Sequence, residues 1–247
     1  MGNCKLSQYS YEYGVKESPF HGDRHHYEIE DNNPFIVRDM NKCILCGKCV
    51  RACAEITGKN NIDYAFRGFD SKISTFGDTS FVDSDCVFCG ACVSVCPTGA
   101  MTEKSIQHKA RHYDFTKVKT TCPFCGTGCN FDLCVKDGKV VAVTTGTDNV
   151  VNGRALCVKG RFGWDYIYSP KRLTTPLIKK DNAFVPASWD EALDLIASRL
   201  LEVKNQHGPD SFAALSSARC TNEENYLLQK IVRVVMGTNN IDHCART

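Results

Sequence analysis

The chain contains, from residue 41 to residue 50, the stretch Asn41-Lys42-Cys43-Ile44-Leu45-Cys46-Gly47-Lys48-Cys49-Val50, which is repeated as Ser84-Asp85-Cys86-Val87-Phe88-Cys89-Gly90-Ala91-Cys92-Val93. Each copy continues to a fourth cysteine, Cys53 in the first and Cys96, followed by Pro97, in the second. Three cysteines separated by two residues, with a fourth after three more, have the spacing of bacterial [4Fe–4S] ligation. The repeat therefore predicts a domain that binds two cubane clusters.

The repeat also predicts which cysteines share a cluster. In two-cluster ferredoxins the fourth cysteine of each run ligates the other cluster. Gly47 and Gly90 would allow the backbone turn that directs amides toward cluster sulfur. Zinc is the alternative, but it favours two separated cysteine pairs per ion. The predicted ligand sets are Cys43, Cys46, Cys49 and Cys96 for one cluster, and Cys86, Cys89, Cys92 and Cys53 for the other.

A third cysteine block has a different spacing. Its members are Cys122, Cys125 and Cys129, with Cys157 after a gap. The spacing of the first three alone is shared with zinc ribbons and radical enzymes. A hairpin predicted at Asp137-Gly138, between apolar strands 131–135 and 139–143, would bring Cys157 back beside them. The three blocks use twelve of the sixteen cysteines and predict three [4Fe–4S] clusters.

Composition and charge argue against several other partners. The formal net charge is +2 and 23% of residues are charged, so we expect no nucleic-acid partner. No run reaches transmembrane length, so we expect no membrane partner. Sixteen cysteines could form disulfides in a secreted domain, but residues 1–7 contain no apolar signal segment. A reducing, cytoplasmic setting in which clustered thiols bind metal fits the sequence.

The pattern predicts a multidomain α+β chain. Capping boxes at Ser188 and Thr221 predict two helices, and residues 212–215 predict a buried strand between them. Two helices and one strand cannot close a sheet, so this α/β layer is incomplete. The predicted parts are an N-terminal segment 1–40, a two-cluster ferredoxin-like domain 41–104 with a hairpin insertion 54–85, a linker 105–118, a small β-rich [4Fe–4S] domain 119–175 and an incomplete α/β domain 176–247.

The third block carries a family resemblance. Its cysteines, together with Cys157-Val158-Lys159-Gly160-Arg161, resemble the N-terminal cluster domain of molybdenum or tungsten bis-pterin oxidoreductases. The stretches 216–226 and 237–246 are similar to formate dehydrogenase catalytic subunits in particular. The ferredoxin-like part is similar to that of the cytoplasmic NAD-linked or bifurcating members. The resemblance covers nearly the whole chain and implies that 176–247 begins the molybdopterin oxidoreductase domain.

The resemblance implies a function. It implies oxidation of formate to CO2, or the reverse, at a Mo or W bis-molybdopterin guanine dinucleotide centre. Electrons would pass through the clusters to a diaphorase, hydrogenase or ferredoxin-type redox subunit. Lys159 matches the family's lysine between the cubane and the pterin. Cys134 is expected to be a small buried hydrophobe, and we assign no metal role to Cys220 or Cys244.

The sequence departs from the family at both ends. In the family a selenocysteine or cysteine metal ligand follows the Ala-Arg-Thr stretch, so the catalytic residue is expected directly after Thr247 and none lies in this chain. A UGA selenocysteine codon translated as a stop is our hypothesis for this end. Residues 2–6 resemble the close of a one-histidine, three-cysteine cluster module, which makes Cys4 a ligand of that module or an exposed thiol.

Three other functions remain open from the sequence. The chain could be a stand-alone iron–sulfur electron-transfer protein. It could belong to another bis-pterin oxidoreductase, such as a nitrate reductase. A complex I-type large subunit shares the ferredoxin-like part, but Lys159 and the run 222–225 argue against it.

Overall fold

The computed structural model describes residues 5–106, 109–110, 113–146 and 148–244. Residue contacts divide the chain into two compact units. The first comprises Met1–Cys122 and Thr127–Trp164, and the second comprises Pro123–Gly126 and Asp165–Thr247. Helices and strands occur in both units, which confirms the predicted α+β class. Within the described ranges, no helix is both long and apolar enough to cross a bilayer.

The first unit begins with the elements that surround the cysteine repeat. These are α1 (Lys5–Glu12), β1 (Ile36–Arg38), α2 (Lys48–Arg51), β2 (Ile62–Ala65), β3 (Lys72–Thr75), α3 (Ala91–Val95) and β4 (Met101–Glu103). Strand β1 pairs antiparallel with β4, so the sheet starts before residue 41 and encloses both copies of the repeat. Strands β2 and β3 form an antiparallel hairpin, which confirms the hairpin predicted within 54–85.

The two copies of the repeat adopt the same backbone conformation. Gly47 and Gly90 each precede a short helix, α2 or α3, with φ angles of 67° and 71°. Two residues earlier, Leu45 and Phe88 also have positive φ, 54° and 49°. Such angles place successive amides in a tight turn, and glycine adopts them without steric cost. The turn predicted at these glycines is confirmed.

The rest of the first unit is a three-stranded antiparallel sheet followed by a short helix. Its elements are β5 (Thr116–Thr121), β6 (Asn130–Lys136), β7 (Lys139–Thr144) and α4 (Val158–Phe162). Asp137 and Gly138 join β6 to β7 with φ angles of 50° and 73°. Two positive φ angles are typical of a type I′ hairpin, so the predicted hairpin is confirmed. Strand β5 overlaps the end of the predicted linker 105–118.

A hydrophobic core joins the repeat to helix α4. Ile36, Ile73 and Phe81 are each 1% exposed in this core. Phe162 of α4 belongs to the same core, and its ring stacks on Phe35 with 5.0 Å between centroids. Burial of these apolar surfaces holds α4 against the ferredoxin-like part of the unit.

The second unit contains the predicted pair of helices. Its elements are β8 (Leu177–Lys180), β9 (Ala183–Pro186), α5 (Trp189–His207), β10 (Ala214–Ser216), α6 (Asn222–Lys230) and β11 (Ile241–His243). Ser188 and Thr221 form the predicted capping boxes with Glu191 and Glu224. Helix α6 continues as a π-helical turn, Ile231–Met236, and Gly237 ends it with φ of 82°. Strands β10 and β11 pair in parallel.

Two details of the predicted α/β layer were wrong. The strand predicted as buried over 212–215 runs from Ala214 to Ser216, and Leu215 is 82% exposed. The apolar spacing of the second helix predicts that Leu228, Ile231, Val232 and Val235 face inward, but of these four only Val232 is buried. A two-stranded sheet has too few side chains to cover the helices on both faces, and the π-helical turn shifts the register of the face that it buries.

The contrast between Val232 and Val235 gives a stability prediction. Val232→Ala should lower the free energy of unfolding by about 2 kcal/mol, because it removes two buried methyl groups and leaves a cavity. Val235→Ala, three residues along the same turn and 51% exposed, should change it by less than about 0.5 kcal/mol. Denaturant unfolding of the 247-residue chain measures both. Equal losses would contradict the described packing.

Candidate metal centres

Four thiols of the repeat line one small cavity in the first unit. They are Cys43, Cys46 and Cys49 of the first copy and Cys96 of the second copy. Ile73 and Met101 line the same cavity, so its remaining wall is apolar. The structure thus brings the first predicted ligand set together.

A second cavity is lined by the other set. Cys86, Cys89 and Cys92 of the second copy line it together with Cys53 of the first. Ile36 and Phe81 supply apolar surface there. The fourth cysteine of each copy therefore crosses to the cavity of the other copy, which is the arrangement that the spacing predicts. Ligation of a cluster by these eight residues stays a prediction.

Backbone amides donate to thiols in both cavities. The N–H of Leu45 donates to Cys43 Sγ at 3.4 Å, and the N–H of Phe88 donates to Cys86 Sγ at 3.4 Å. The two crossing thiols also accept: Cys53 Sγ from Asn61 at 3.3 Å, and Cys96 Sγ from Met101 at 3.5 Å. Amide donors of this kind stabilise negative charge on sulfur, whether the thiolate is free or bound to iron.

Burial makes these thiols poor acids in the absence of a cation. Burial is the largest cause of the raised pKa of Cys43, Cys49, Cys86 and Cys92, and neighbouring thiols raise it further. For Cys49 the pKa rises to about 11. In each cavity, a positively charged group favours the thiolate form of the two thiols whose pKa is raised, and an iron–sulfur core or a metal ion supplies such a charge.

The third set is divided between the two units. Cys122 is buried, and its N–H donates to the carbonyl of Cys129 at 2.8 Å. Cys157 is the N-cap of α4, and a Cβ placed on Gly160 would lie 3.7 Å from Cys122 Sγ. Gly160 of α4 therefore lies next to Cys122. Cys125 is exposed and belongs to the second unit, so a shared cluster for all four stays a prediction.

A single metal ion is the alternative to an iron–sulfur cluster. Among the described residues, no group of three or more His, Cys, Asp or Glu side chains is arranged to hold a metal ion. The donor set of each cavity, four thiols with amide donors and apolar walls, has the chemistry of a [4Fe–4S] site.

The remaining predicted residues lie as follows. Lys159 is exposed on α4. Cys134 is 0% exposed and packs its Sγ against Thr144 Oγ1 at 3.7 Å, so the expectation of a buried small hydrophobe is confirmed. Cys220 and Cys244 are exposed. Cys4 and Thr247 lie outside the described residues.

One buried charge was not anticipated from the sequence. Arg161, two residues after Lys159, is 2% exposed, and its Nη1 donates to the carbonyl of Val143 at 2.9 Å. Its stem packs against Gly90 at the second cavity. The sequence carries little sign of this, since an arginine on a short helix is usually solvated.

Comparison with protein families identifies the parts of the chain. Residues 33–102 match the ferredoxin-like domain of NADH-quinone oxidoreductase subunit 3. Residues 115–169 match the molybdopterin oxidoreductase Fe4S4 domain, and residues 172–247 match the molybdopterin oxidoreductase family. The chain therefore consists of iron–sulfur and molybdopterin domains of the molybdopterin oxidoreductase class. The boundaries 41–104, 105–118, 119–175 and 176–247 stay predictions.

Individual relatives agree with that class. The chain is 35% identical to a Bacillus subtilis protein named "Probable oxidoreductase YjgC" and 34% identical to a Staphylococcus aureus protein named "Putative formate dehydrogenase". Each match covers 99% of this chain but 29% of the relative, so the chain spans less than a third of their length. The predicted resemblance to formate dehydrogenases is confirmed.

One solved structure is also similar over part of its length. An NAD+-reducing [NiFe]-hydrogenase in the H2-reduced state matches 45% of this chain and 47% of its own chain. The sequence identity is 28% and the TM-score is 0.34, which is too low to support an argument about fold.

Thiol reactivity tests the placement of the cysteines outside the sets. A hydrogen bond with Ser217 and another from the N–H of Ala218 lower the pKa of the exposed Cys244, whereas burial raises that of Cys134. Because the thiolate is the nucleophile, iodoacetamide should label Cys244 at least tenfold faster than Cys134 at neutral pH in cluster-free protein.

Peptide mass spectrometry measures both rates. Ser217→Ala should slow labelling of Cys244 and leave Cys134 unchanged, since it removes the largest cause of the lowered pKa. Labelling of Cys134 as fast as Cys244, or no effect of the substitution, would show that the described surroundings of these thiols are wrong.

Proposed function

We propose that this chain holds three [4Fe–4S] clusters and acts as the electron-transfer part of a formate dehydrogenase. The observation that carries the proposal is the crossing of Cys53 and Cys96, which completes a four-thiol cavity for each copy of the repeat. The proposed ligand sets are Cys43, Cys46, Cys49 and Cys96; Cys86, Cys89, Cys92 and Cys53; and Cys122, Cys125, Cys129 and Cys157.

The chain's own residues would shield each cluster from water and stabilise negative charge on its cysteine sulfurs. A [4Fe–4S] cluster, when bound, supplies one-electron transfer at a potential that its surroundings set. Apolar side chains in the walls of both cavities limit the access of water, and the amides of Leu45, Asn61, Phe88 and Met101 offset negative charge on sulfur. Exposed Lys159 would place a cation between the third cluster and a pterin, as its match to the family implies.

The substrate and partners follow from the relatives. Formate and CO2 are supported by the relatives named as formate dehydrogenases, and a Mo- or W-bis-molybdopterin guanine dinucleotide by the match of residues 172–247. We propose a cytoplasmic, NAD-linked or bifurcating enzyme whose redox partner is a diaphorase, hydrogenase or ferredoxin-type subunit. The ferredoxin-like match over residues 33–102 supports an electron-transfer role for this part of the chain.

Loss of a crossing thiol tests the ligation. The anaerobically reconstituted chain should contain about 12 iron atoms, from three cubanes. Cys53→Ser should remove one cluster, lowering iron by about a third and removing one reduced-state paramagnetic signal. Cys134→Ser, a buried cysteine outside the sets, should leave the iron content unchanged. Iron analysis and electron paramagnetic resonance measure both, and unchanged iron in Cys53→Ser would refute the crossing.

Formate-dependent dye reduction tests the activity. A full-length protein containing this chain, purified without oxygen, should reduce a viologen with formate and should not oxidise reduced viologen with nitrate. Lys159→Met should slow the formate reaction while iron content stays the same, and Lys180→Met, an exposed lysine of β8, should not slow it. Activity with nitrate alone would assign the chain to another bis-pterin oxidoreductase.

A further inference from the structure

The two copies of the repeat share a backbone but differ in the charge beside their glycines. The N–H of Arg51 donates to the carbonyl of Gly47 at 3.1 Å, and the N–H of Ser94 donates to that of Gly90 at 3.1 Å. Arg51 and Ser94 are therefore equivalent positions. The Arg51 guanidinium lies beside Gly47, with Nη2 donating to the carbonyl of Cys46 at 3.3 Å. The serine supplies no charge at the second cavity.

Arg161, which is distant in the sequence, places a guanidinium beside the second copy of the repeat, where Ser94 provides none. A Cβ placed on Gly90 would lie 3.0 Å from both Cγ and Nε of Arg161. Because glycine has no side chain, the arginine stem packs directly on the turn that carries Cys89. Phe162, the next residue, anchors α4 in the core beneath.

The two guanidinium groups differ in their access to water. Arg51 is exposed, whereas Arg161 is 2% exposed. Arg161 Nη1 is paired with Val143, but Nε and Nη2 have no hydrogen-bond partner among the described residues. None of the ion pairs found in those residues includes Arg161. Unpaired buried donors are uncommon in native proteins and require an explanation.

The charges around Arg161 favour an anionic partner. Burial lowers the pKa of Arg161, while Glu103, Cys89 and Cys92 act in the opposite direction. A guanidinium remains protonated in proteins in spite of burial. Glu103 is itself 4% exposed; burial raises the pKa of its carboxyl, whereas Ser105 and Arg161 act in the opposite direction, and it forms no ion pair with Arg161 among the described residues.

We propose that Arg161 raises the reduction potential of the cluster held by Cys53, Cys86, Cys89 and Cys92 above that of the cluster held by Cys43, Cys46, Cys49 and Cys96. This inference rests on the proposed ligation. Reduction adds one electron to a cubane, so the cluster and its thiolates gain one negative charge while no bond forms or breaks. A buried cation stabilises that charge, whereas water and salt screen the exposed Arg51.

Redox titration of the anaerobically reconstituted chain, followed by electron paramagnetic resonance, tests the proposal. Cys53→Ser identifies the signal of the cluster next to Arg161. Arg161→Gln keeps a donor for Val143 but removes the charge, and should lower the one-electron reduction constant of that cluster at least tenfold, or about 59 mV. Arg161→Lys should keep the constant within threefold of wild type, because the charge remains. Arg51→Gln, the matched control, should leave every cluster within threefold.

The outcomes separate this inference from the proposed function. A wild-type chain without [4Fe–4S] signals refutes the ligation itself. A chain with its clusters whose potentials do not respond to Arg161→Gln, or respond equally to Arg161→Lys or Arg51→Gln, refutes the role of Arg161 alone. If Arg161→Gln loses its clusters, the comparison of wild type with Cys53→Ser still tests the proposal. Of the two clusters proposed for the repeat, Cys53→Ser should lose the signal that has the higher reduction potential. Loss of the signal with the lower potential overturns the proposal.

Discussion

The crossing of two thiols between the halves of the repeat is the constraint on which the first unit depends. Cys53 leaves the first copy to complete the cavity of the second, and Cys96 leaves the second to complete that of the first. In this arrangement each four-thiol cavity needs residues from both halves. The halves must therefore fold together, and the pairing of β1 with β4 closes the chain around both.

That constraint explains where the apolar core lies. Ile36 and Phe81 belong to the core and line the second cavity, and Ile73 and Met101 do the same for the first. The side chains that stabilise the fold are thus the ones that keep water from the thiols. Phe162 extends the core to α4, whose N-cap is Cys157. The same packing places the buried side chain of Arg161 beside Gly90.

Much of this arrangement could be predicted from local sequence signals. The cysteine spacing of the repeat predicted which of its thiols line a common cavity, Asp137-Gly138 predicted a hairpin, and Ser188 and Thr221 predicted two helix starts. Each depends on the geometry of a few neighbouring residues. Burial depends on distant contacts, so the exposure of Leu215 and the burial of Arg161 could not be predicted. The strand Thr116–Thr121 was missed because its lysines and threonines carry no apolar alternation, and β6 alone gives it a partner.

The most direct test of the central claim is an iron-edge anomalous difference map from crystals of the anaerobically reconstituted chain. The account predicts iron density within both four-thiol cavities, with Cys53 bonded to the iron beside Cys86 and Cys96 bonded to the iron beside Cys43. Iron bonded to four cysteines of a single copy, or zinc in place of iron, would contradict it.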